Sequence, residues 1–160
     1  MFRRMILERL SREPYRLTMR RGSARIGTVP DAVQVGPKVC LINKYSASDG
    51  DLFPWGFRAL GLGKLIGTRT WGGIVGISGS LPYMDGTDIR VPFFTSFDPK
   101  TGSWIIENHG VDPDILIDND PVKEWNGEDQ QLDRAIQEVM KELQNRKPLP
   151  GVPTPRDFSK

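Results

Sequence analysis

Cysteine and histidine are almost absent from this sequence, and their scarcity limits its chemistry. The 160 residues contain one cysteine, Cys40, and one histidine, His109. A single cysteine cannot form an internal disulfide, and its place in an apolar segment indicates a buried structural thiol. A zinc site needs several such ligands at suitable spacing, and the acidic turn at 49–51 lacks the remaining ligands of a calcium loop. Binding of calcium or magnesium by carboxylates alone stays open in principle, but the sequence points to no metal site, and we expect no cofactor.

Long apolar runs and a strong charge imbalance are also missing. No segment approaches the roughly 20 apolar residues of a membrane span, and the first ten residues are too charged for a signal peptide. The net charge of +2 gives no case for binding nucleic acid or an anionic membrane. Length and composition are typical of one soluble domain. The lack of a signal favours the cytoplasm, unless an upstream segment carries one.

The most informative stretch runs from Lys38 to Leu62. A short apolar segment, Val39 to Ile42, is followed by a turn rich in Ser, Asp and Gly, and then by a helical pattern over 50–61. A strand, a sharp turn and a helix with a serine at the corner form the arrangement of a nucleophile elbow. The first N–H groups of such a helix can hold a developing oxyanion. The alternative stays open, because Ser and Asp are also the preferred N-cap residues of any helix.

The rest of the chain has an alternating α/β pattern. Residues 2–10 predict an amphipathic helix, and a strand over 64–70 would complete a parallel crossover after the helix at 50–61. The glycine-rich segment 71–80 lacks the Gly-Lys-Ser/Thr ending of a phosphate loop, so its glycines are interpreted as turns or close backbone approaches. Further elements are expected as short strands at 15–19, 81–83, 89–94, 103–107 and 114–118, and as a helix over 128–146.

Three motifs carry a resemblance to a known family: Asn43 to Asp51, Gly61 to Gly73, and Glu107 to Asp114. In this order they resemble the tricorn-type serine peptidases, which belong with the C-terminal processing peptidases. The resemblance covers only the C-terminal half of that family's catalytic core. It implies a partial α/β domain of the crotonase-like kind over 1–147, a spiral of strands flanked by helices, followed by a Pro-rich tail over 148–160.

The resemblance also implies an activity and assigns site residues. The family hydrolyses peptide bonds through an acyl-enzyme. Ser48 matches its nucleophile, the backbone N–H of Asp49 matches one oxyanion donor, and Glu107 matches a carboxylate that supports the catalytic histidine through a serine. Ser46 is a competing hydroxyl, but it lies two residues too early for the helix start. The family's Ser-His pair and its other oxyanion glycine lie upstream of the matched region, and His109 is expected to be structural.

These departures imply that the chain carries only part of the family's catalytic site and that, alone, it would have almost no peptidase activity. The expected partners are a peptide substrate, the missing upstream half or a separate chain that carries it, and further copies of this chain. The family's acidic residue that favours basic substrates falls near Tyr15 to Arg20, where this chain has no acid, so a preference for basic substrates is in doubt.

Two other functions stay open on the sequence alone. One is a non-catalytic peptide-binding or assembly module, in which Ser48 is only a cap and an exposed sheet edge adds a peptide strand. The other, with weaker support, is acyl-thioester binding as in other crotonase-like proteins.

Overall fold

The order of helices and strands makes this an α/β chain. A computed structural model describes residues 2–23 and 25–154. The elements are α1 (Phe2–Leu10), β1 (Arg16–Met19), β2 (Ile26–Val29), β3 (Val39–Ile42), α2 (Asp49–Ala59), β4 (Lys64–Gly67), β5 (Gly76–Pro82), β6 (Asp88–Phe94), β7 (Ile115–Leu116), α3 (Pro121–Trp125) and α4 (Gln130–Gln144). The predicted helices over 2–10 and 50–61 are confirmed, the second with its start immediately after Ser48.

A three-stranded parallel sheet in the order β3-β4-β7 forms the centre of the fold. Val39 to Ile42 pair in register with Lys64 to Gly67, and α2 is the crossover between these strands, as the sequence pattern predicted. The strand predicted over 64–70 ends earlier, at Gly67. Residues 68–70 are not part of the strand, and the N–H of Thr70 donates to the carbonyl oxygen of Val111 instead of to a neighbouring strand.

Helices pack on this sheet and build the core. The buried cluster beside α2 consists of Ile42, Phe57, Leu65 and Val111. Leu7 of α1 packs against this cluster, and Gly56 makes room for it, because a Cβ on Gly56 would lie 2.6 Å from a Leu7 methyl carbon. Successive strand side chains point to opposite faces. Ile66, which is also fully buried, therefore faces away from Leu65, and α4 also contacts β3 and β4.

A buried carboxylate fastens α4 to β4. Glu138 is only 6% exposed, and its two oxygens accept from Lys64 Nζ at 2.7 Å and from Arg134 at 2.8 Å. These contacts, chiefly the hydrogen bond from Lys64, hold the pKa of Glu138 below its usual value. The apolar face predicted for this helix remains about half exposed, at Leu132, Ile136, Met140 and Leu143.

Two antiparallel hairpins lie outside the central sheet. β1 pairs with β2, and β5 pairs with β6. Among the helices and strands described, each hairpin makes its contacts chiefly between its own two strands. The strand predicted over 81–83 is the end of the longer β5, which begins within the glycine-rich segment.

One prediction of secondary structure is wrong, and one helix was not predicted. Residues 103–107 do not form a strand, and only Trp104 makes an isolated bridge, to Phe97. The chain turns there because the N–H groups of His109 and Gly110 both donate to the carbonyl oxygen of Ile106. Helix α3 was not expected, since one turn and a half of helix leaves no periodic pattern in the sequence.

The C-terminal tail contains no helix or strand over residues 145–154. The remainder of the predicted tail, 155–160, lies outside the described residues. None of the helices that the structure describes is long and apolar enough to cross a membrane.

We predict that Cys40 reacts slowly with alkylating reagents. Burial raises the pKa of its thiol from 9.0 to about 11, which lowers the reactive thiolate fraction roughly a hundredfold near neutral pH. Iodoacetamide should therefore modify the folded chain more slowly than the urea-unfolded chain by about this factor. Because the folded-state pKa is the higher one, this thiol's contribution to stability is complete below pH 9.0 and is lost as the pH rises toward about 11. Equal alkylation rates for the folded and unfolded chains would contradict the burial.

Candidate active site

The turn between β3 and α2 differs from an ordinary helix start. Ser48 is the N-cap residue of α2, and its φ of 55° and ψ of −106° form a backbone conformation that residues other than glycine rarely adopt. Ordinary N-cap residues are extended, as are Asp120 before α3 and Asp129 before α4, whose carboxylates accept N–H groups of the first helical turn. The strained backbone of Ser48 is therefore typical of an elbow serine rather than of a plain cap.

The first turn of α2 depends more on Asp51 than on the Ser48 hydroxyl. The two residues form a capping box, in which the Ser48 N–H donates to Asp51 Oδ2 at 2.8 Å. The Asp51 N–H donates to the carbonyl oxygen of Ser48 at 3.0 Å, which leaves the hydroxyl a secondary acceptor. Ser48 is exposed, so its hydroxyl is accessible to a ligand.

Asp51 also ties the elbow to the glycine-rich loop. Its side chain is fully buried, and it accepts the N–H of Gly72 at 2.8 Å and that of Gly73 at 3.2 Å. These charge-assisted hydrogen bonds offset the cost of removing the carboxylate from water. Gly72 has a φ of +91°, and a Cβ there would lie 2.5 Å from the backbone nitrogen of Gly110. One carboxylate thus holds the turn at Ser48 against the loop.

Glu107 holds the next part of the same loop. Its Oε2 accepts the N–H of Ile74 at 2.7 Å and that of Val75 at 2.9 Å. Four consecutive N–H groups, from Gly72 to Val75, therefore bind two carboxylates. In this structure Glu107 positions the loop, and its predicted support of a histidine stays a prediction.

Ser48 borders two cavities. The first, which we call the α1-side cavity, measures about 350 Å³ and reaches Arg3 and Arg4 in the first turn of α1. The second, the Glu107-side cavity, measures about 470 Å³ and reaches Trp71 and Glu107. Both lie in the size range of small-ligand sites, so each can hold a small group next to Ser48. A larger cavity of about 550 Å³ lies between the ends of α1 and α4, but none of the predicted site residues lines it.

The predicted oxyanion donor has a free N–H. Asp49 is the first residue of α2, where a backbone N–H has no partner within the helix. In the part of the chain that the structure describes, the N–H of Asp49 has no acceptor, whereas the N–H of Gly50 donates to Ala47 at 2.8 Å. The Asp49 carboxylate forms an ion pair with Arg3.

The two rival residues from the sequence are engaged elsewhere. The Ser46 hydroxyl donates to Asn43 Oδ1 at 3.2 Å and accepts the Asn43 N–H at 3.3 Å. His109 Nε2 lies 2.8 Å from Asp112 Oδ2. Neither Ser46 nor His109 lines a cavity that Ser48 borders. The structure therefore brings Ser48, Asp49 and Glu107 around these cavities without the histidine.

Asp51 is the central residue that sequence reasoning did not assign. A local signal existed, because a carboxylate three residues after an N-cap serine occupies the position of a capping box. The sequence could not show that this carboxylate also reaches Gly72 and Gly73. Over residues 2–23 and 25–154, no group of three or more His, Cys, Asp or Glu is arranged to hold a metal ion.

Comparisons with known proteins place the chain in one group. Residues 7–117 match the family described as Peptidase family S41. The chain is 46% identical over 110 residues to the tricorn protease of Thermoplasma acidophilum, covering 69% of this chain and 10% of that protein. It is 38% identical over 142 residues to a protein of Sulfurisphaera tokodaii named as a tricorn-like protease C-terminal subunit, covering 89% of this chain and 16% of that protein.

The fold is similar to a solved structure of the same group. A crystal structure of the tricorn protease superposes with a TM-score of 0.80 at 38% sequence identity, covering 89% of this chain and 14% of that chain. The chain thus spans between 10% and 16% of the length of these relatives.

The strain at Ser48 generates a first prediction. Replacing Ser48 by glycine should raise the free energy of unfolding by about 1 kcal/mol, because glycine adopts this backbone without penalty. The matched change Asp129→Gly, at an ordinary N-cap, should lower it by about 0.3 kcal/mol. Urea denaturation measures both values. A Ser48→Gly variant less stable than the parent chain would show that Ser48 is a plain cap.

The buried carboxylate generates a second prediction. Asp51→Asn should lower the free energy of unfolding by about 2 kcal/mol, because a neutral amide cannot accept all three N–H groups and its own NH₂ faces donors. Asp49→Asn makes the same change in an exposed ion pair, and it should lower the free energy of unfolding by less than about 1 kcal/mol. Equal losses in the two variants, measured by urea denaturation, would contradict the special position of Asp51.

Proposed function

Because the chain belongs to peptidase family S41, we propose that it supplies the nucleophilic half of a serine peptidase active site. Ser48 Oγ attacks the carbonyl carbon of a peptide bond while its proton passes to a base. The negative carbonyl oxygen is stabilised by the N–H of Asp49 at the start of α2. The amine then leaves with a proton, and water hydrolyses the ester on Ser48. The observation that carries the proposal is the strained backbone of Ser48 next to the free N–H of Asp49.

The base comes, in this proposal, from outside the 160 residues. The single histidine, His109, pairs with Asp112 and lines neither cavity at Ser48. A preceding segment or a second chain would supply a Ser-His pair, and the serine of that pair would bind Glu107. The name of the Sulfurisphaera tokodaii relative, a C-terminal subunit, agrees with such a division between chains. Alone, the chain would hydrolyse peptides slowly, because an unassisted serine hydroxyl is a weak nucleophile.

The same proposal covers the architecture and the assembly. Residues 1–147 would form the C-terminal part of a crotonase-like catalytic domain, and residues 148–160 its tail. The similarity to the tricorn protease structure supports this arrangement. The exposed apolar face of α4 and the exposed aromatic residues Phe93 and Phe94 of β6 support association with other parts of a larger assembly, including further copies of the chain.

A second candidate function is peptide binding without chemistry. The observation that favours it is strand β6, in which all seven residues are exposed. An extended peptide can add to the edge of such a hairpin through main-chain hydrogen bonds. In that case Ser48→Ala would leave peptide affinity unchanged, and no partner would restore hydrolysis.

We predict that imidazole activates Ser48 toward a fluorophosphonate probe. Free imidazole, whose pKa lies near 7, can replace a missing general base. Labelling of the whole chain, located by mass spectrometry, should occur at Ser48 and become at least about tenfold faster with imidazole. The rate should rise with pH as the imidazole loses its proton.

Two variants control this labelling experiment. Ser48→Ala should remove the modification, whereas Ser46→Ala should leave its rate unchanged, because the Ser46 hydroxyl is bound to Asn43. Labelling that is spread over several serines, or that does not respond to imidazole, would count against an elbow nucleophile and favour the non-catalytic module.

A further inference from the structure

We propose that Arg3 and Arg4 form a binding site for a carboxylate of the substrate peptide, directly beside Ser48. The inference rests on the proposed function, because it assigns a substrate class to the same site. It names two specificity-determining residues that the sequence analysis did not single out.

The packing of α1 on α2 places these arginines. Leu7 contacts the face of α2 at Gly56, and the first turns of both helices line the α1-side cavity. Arg3 and Arg4 form one wall of this cavity, and Ser48 and Asp49 form another. A group bound there lies next to the serine hydroxyl and the free N–H of Asp49.

The cavity has an excess of positive charge. Arg3 forms an ion pair with Asp49, whereas Arg4 has no carboxylate partner within residues 2–23 and 25–154. The guanidinium groups of Arg3 and Arg4 and the carboxylate of Asp49 together have a net charge of +1. The N-terminus of α2 adds a partial positive charge. Burial, together with the nearby charge of Arg4, lowers the pKa of Arg3. A ligand carboxylate would relieve the repulsion between these two like charges.

The remaining walls favour an acidic side chain over a bare anion. Leu52, Ile74 and Phe94 line the cavity and can pack against the methylene groups of a glutamate or aspartate. A guanidinium group binds a carboxylate with two parallel hydrogen bonds. The carboxylate could also be the C-terminus of a short peptide, which has the same chemistry.

Peptide binding to the whole chain tests the site. Three capped peptides of one sequence would differ at one position, as Glu, Gln or Lys, and a fourth would carry Gln with a free C-terminal carboxylate. Isothermal titration calorimetry should show the Glu peptide binding about tenfold more tightly than the Gln peptide, with the Lys peptide weakest. Added salt should reduce this difference. If the fourth peptide, and not the Glu peptide, binds more tightly than the capped Gln peptide, the bound group is the peptide C-terminus.

Two arginine variants separate this site from general charge effects. Arg4→Ala should abolish the preference for the Glu peptide over the Gln peptide, because it removes the guanidinium group that has no carboxylate partner. Arg9→Ala removes the same charge from an exposed position of the same helix that lines no cavity at Ser48, so it should leave the preference intact. Arg4 is exposed, and circular dichroism verifies that both variants fold.

The possible failures are distinguishable. If the peptides bind equally while imidazole still activates Ser48, the carboxylate site is wrong and the peptidase proposal stands. If Arg4→Ala keeps the Glu preference, these arginines are not the site. If none of the peptides binds, the site is overturned as well. A Glu preference that depends on Arg4 supports the site whether or not the probe labels Ser48.

Discussion

The buried carboxylate of Asp51 is the constraint on which the rest of the site depends. A nearly inaccessible charge is stable in a protein only when its lone pairs are satisfied, and here the N–H groups of Ser48, Gly72 and Gly73 satisfy them. A strained residue persists only where its surroundings over-determine its conformation. Asp51 fixes the conformation of Ser48, because its carboxylate accepts the backbone N–H of Ser48 from the first turn of α2. The hydrogen bonds from Gly72 and Gly73 to Asp51 also fix the distance between the glycine-rich loop and the turn at Ser48.

The two sides of Ser48 have different electrostatic character. On one side, the carboxylates of Asp51 and Glu107 are stabilised by hydrogen bonds from backbone N–H groups and not by basic side chains. On the other side, the α1-side cavity is lined by two arginines of α1 and by one acid, Asp49 of α2. A general base that comes from elsewhere would therefore meet an acidic, hydrogen-bonded loop, whereas a negatively charged part of a ligand would be drawn to α1. In the proposed function, this difference in charge would orient a bound peptide across Ser48.

Sequence reasoning succeeded where the relevant partners are close along the chain. The start of α2 followed from the capping residues, and the β3-α2-β4 crossover followed from three adjacent patterns. It failed where partners are distant. The bond from Gly72 to Asp51 has no local signature. Residues 103–107 looked like a strand because the sequence does not show the turn that follows at Ile106 or the bonds from Ile74 and Val75 to Glu107. For α4, the pattern identified the apolar residues but not the face that meets the sheet, since the Lys64–Glu138 pair fixes that rotation. The roles of Ser48, Asp49 and Glu107 came from the family resemblance. The structure adds the distances and hydrogen bonds around these residues.

The two hairpins outside the central sheet have a consequence for local unfolding. An isolated two-stranded hairpin has little stability of its own, and proteins open in contiguous cooperative units whose free energies differ. The central sheet with its helices would form the most protected unit, and β5-β6 a weaker one. Ser48 belongs to the first unit, whereas Gly76 and Ile77, which help to line the cavities beside it, belong to the second. The lining of the cavities beside Ser48 would thus cross a boundary between a more protected unit and a unit that opens more readily. A ligand that spans this boundary would couple the two units, and part of its binding free energy would go into protecting the hairpin amides from hydrogen exchange.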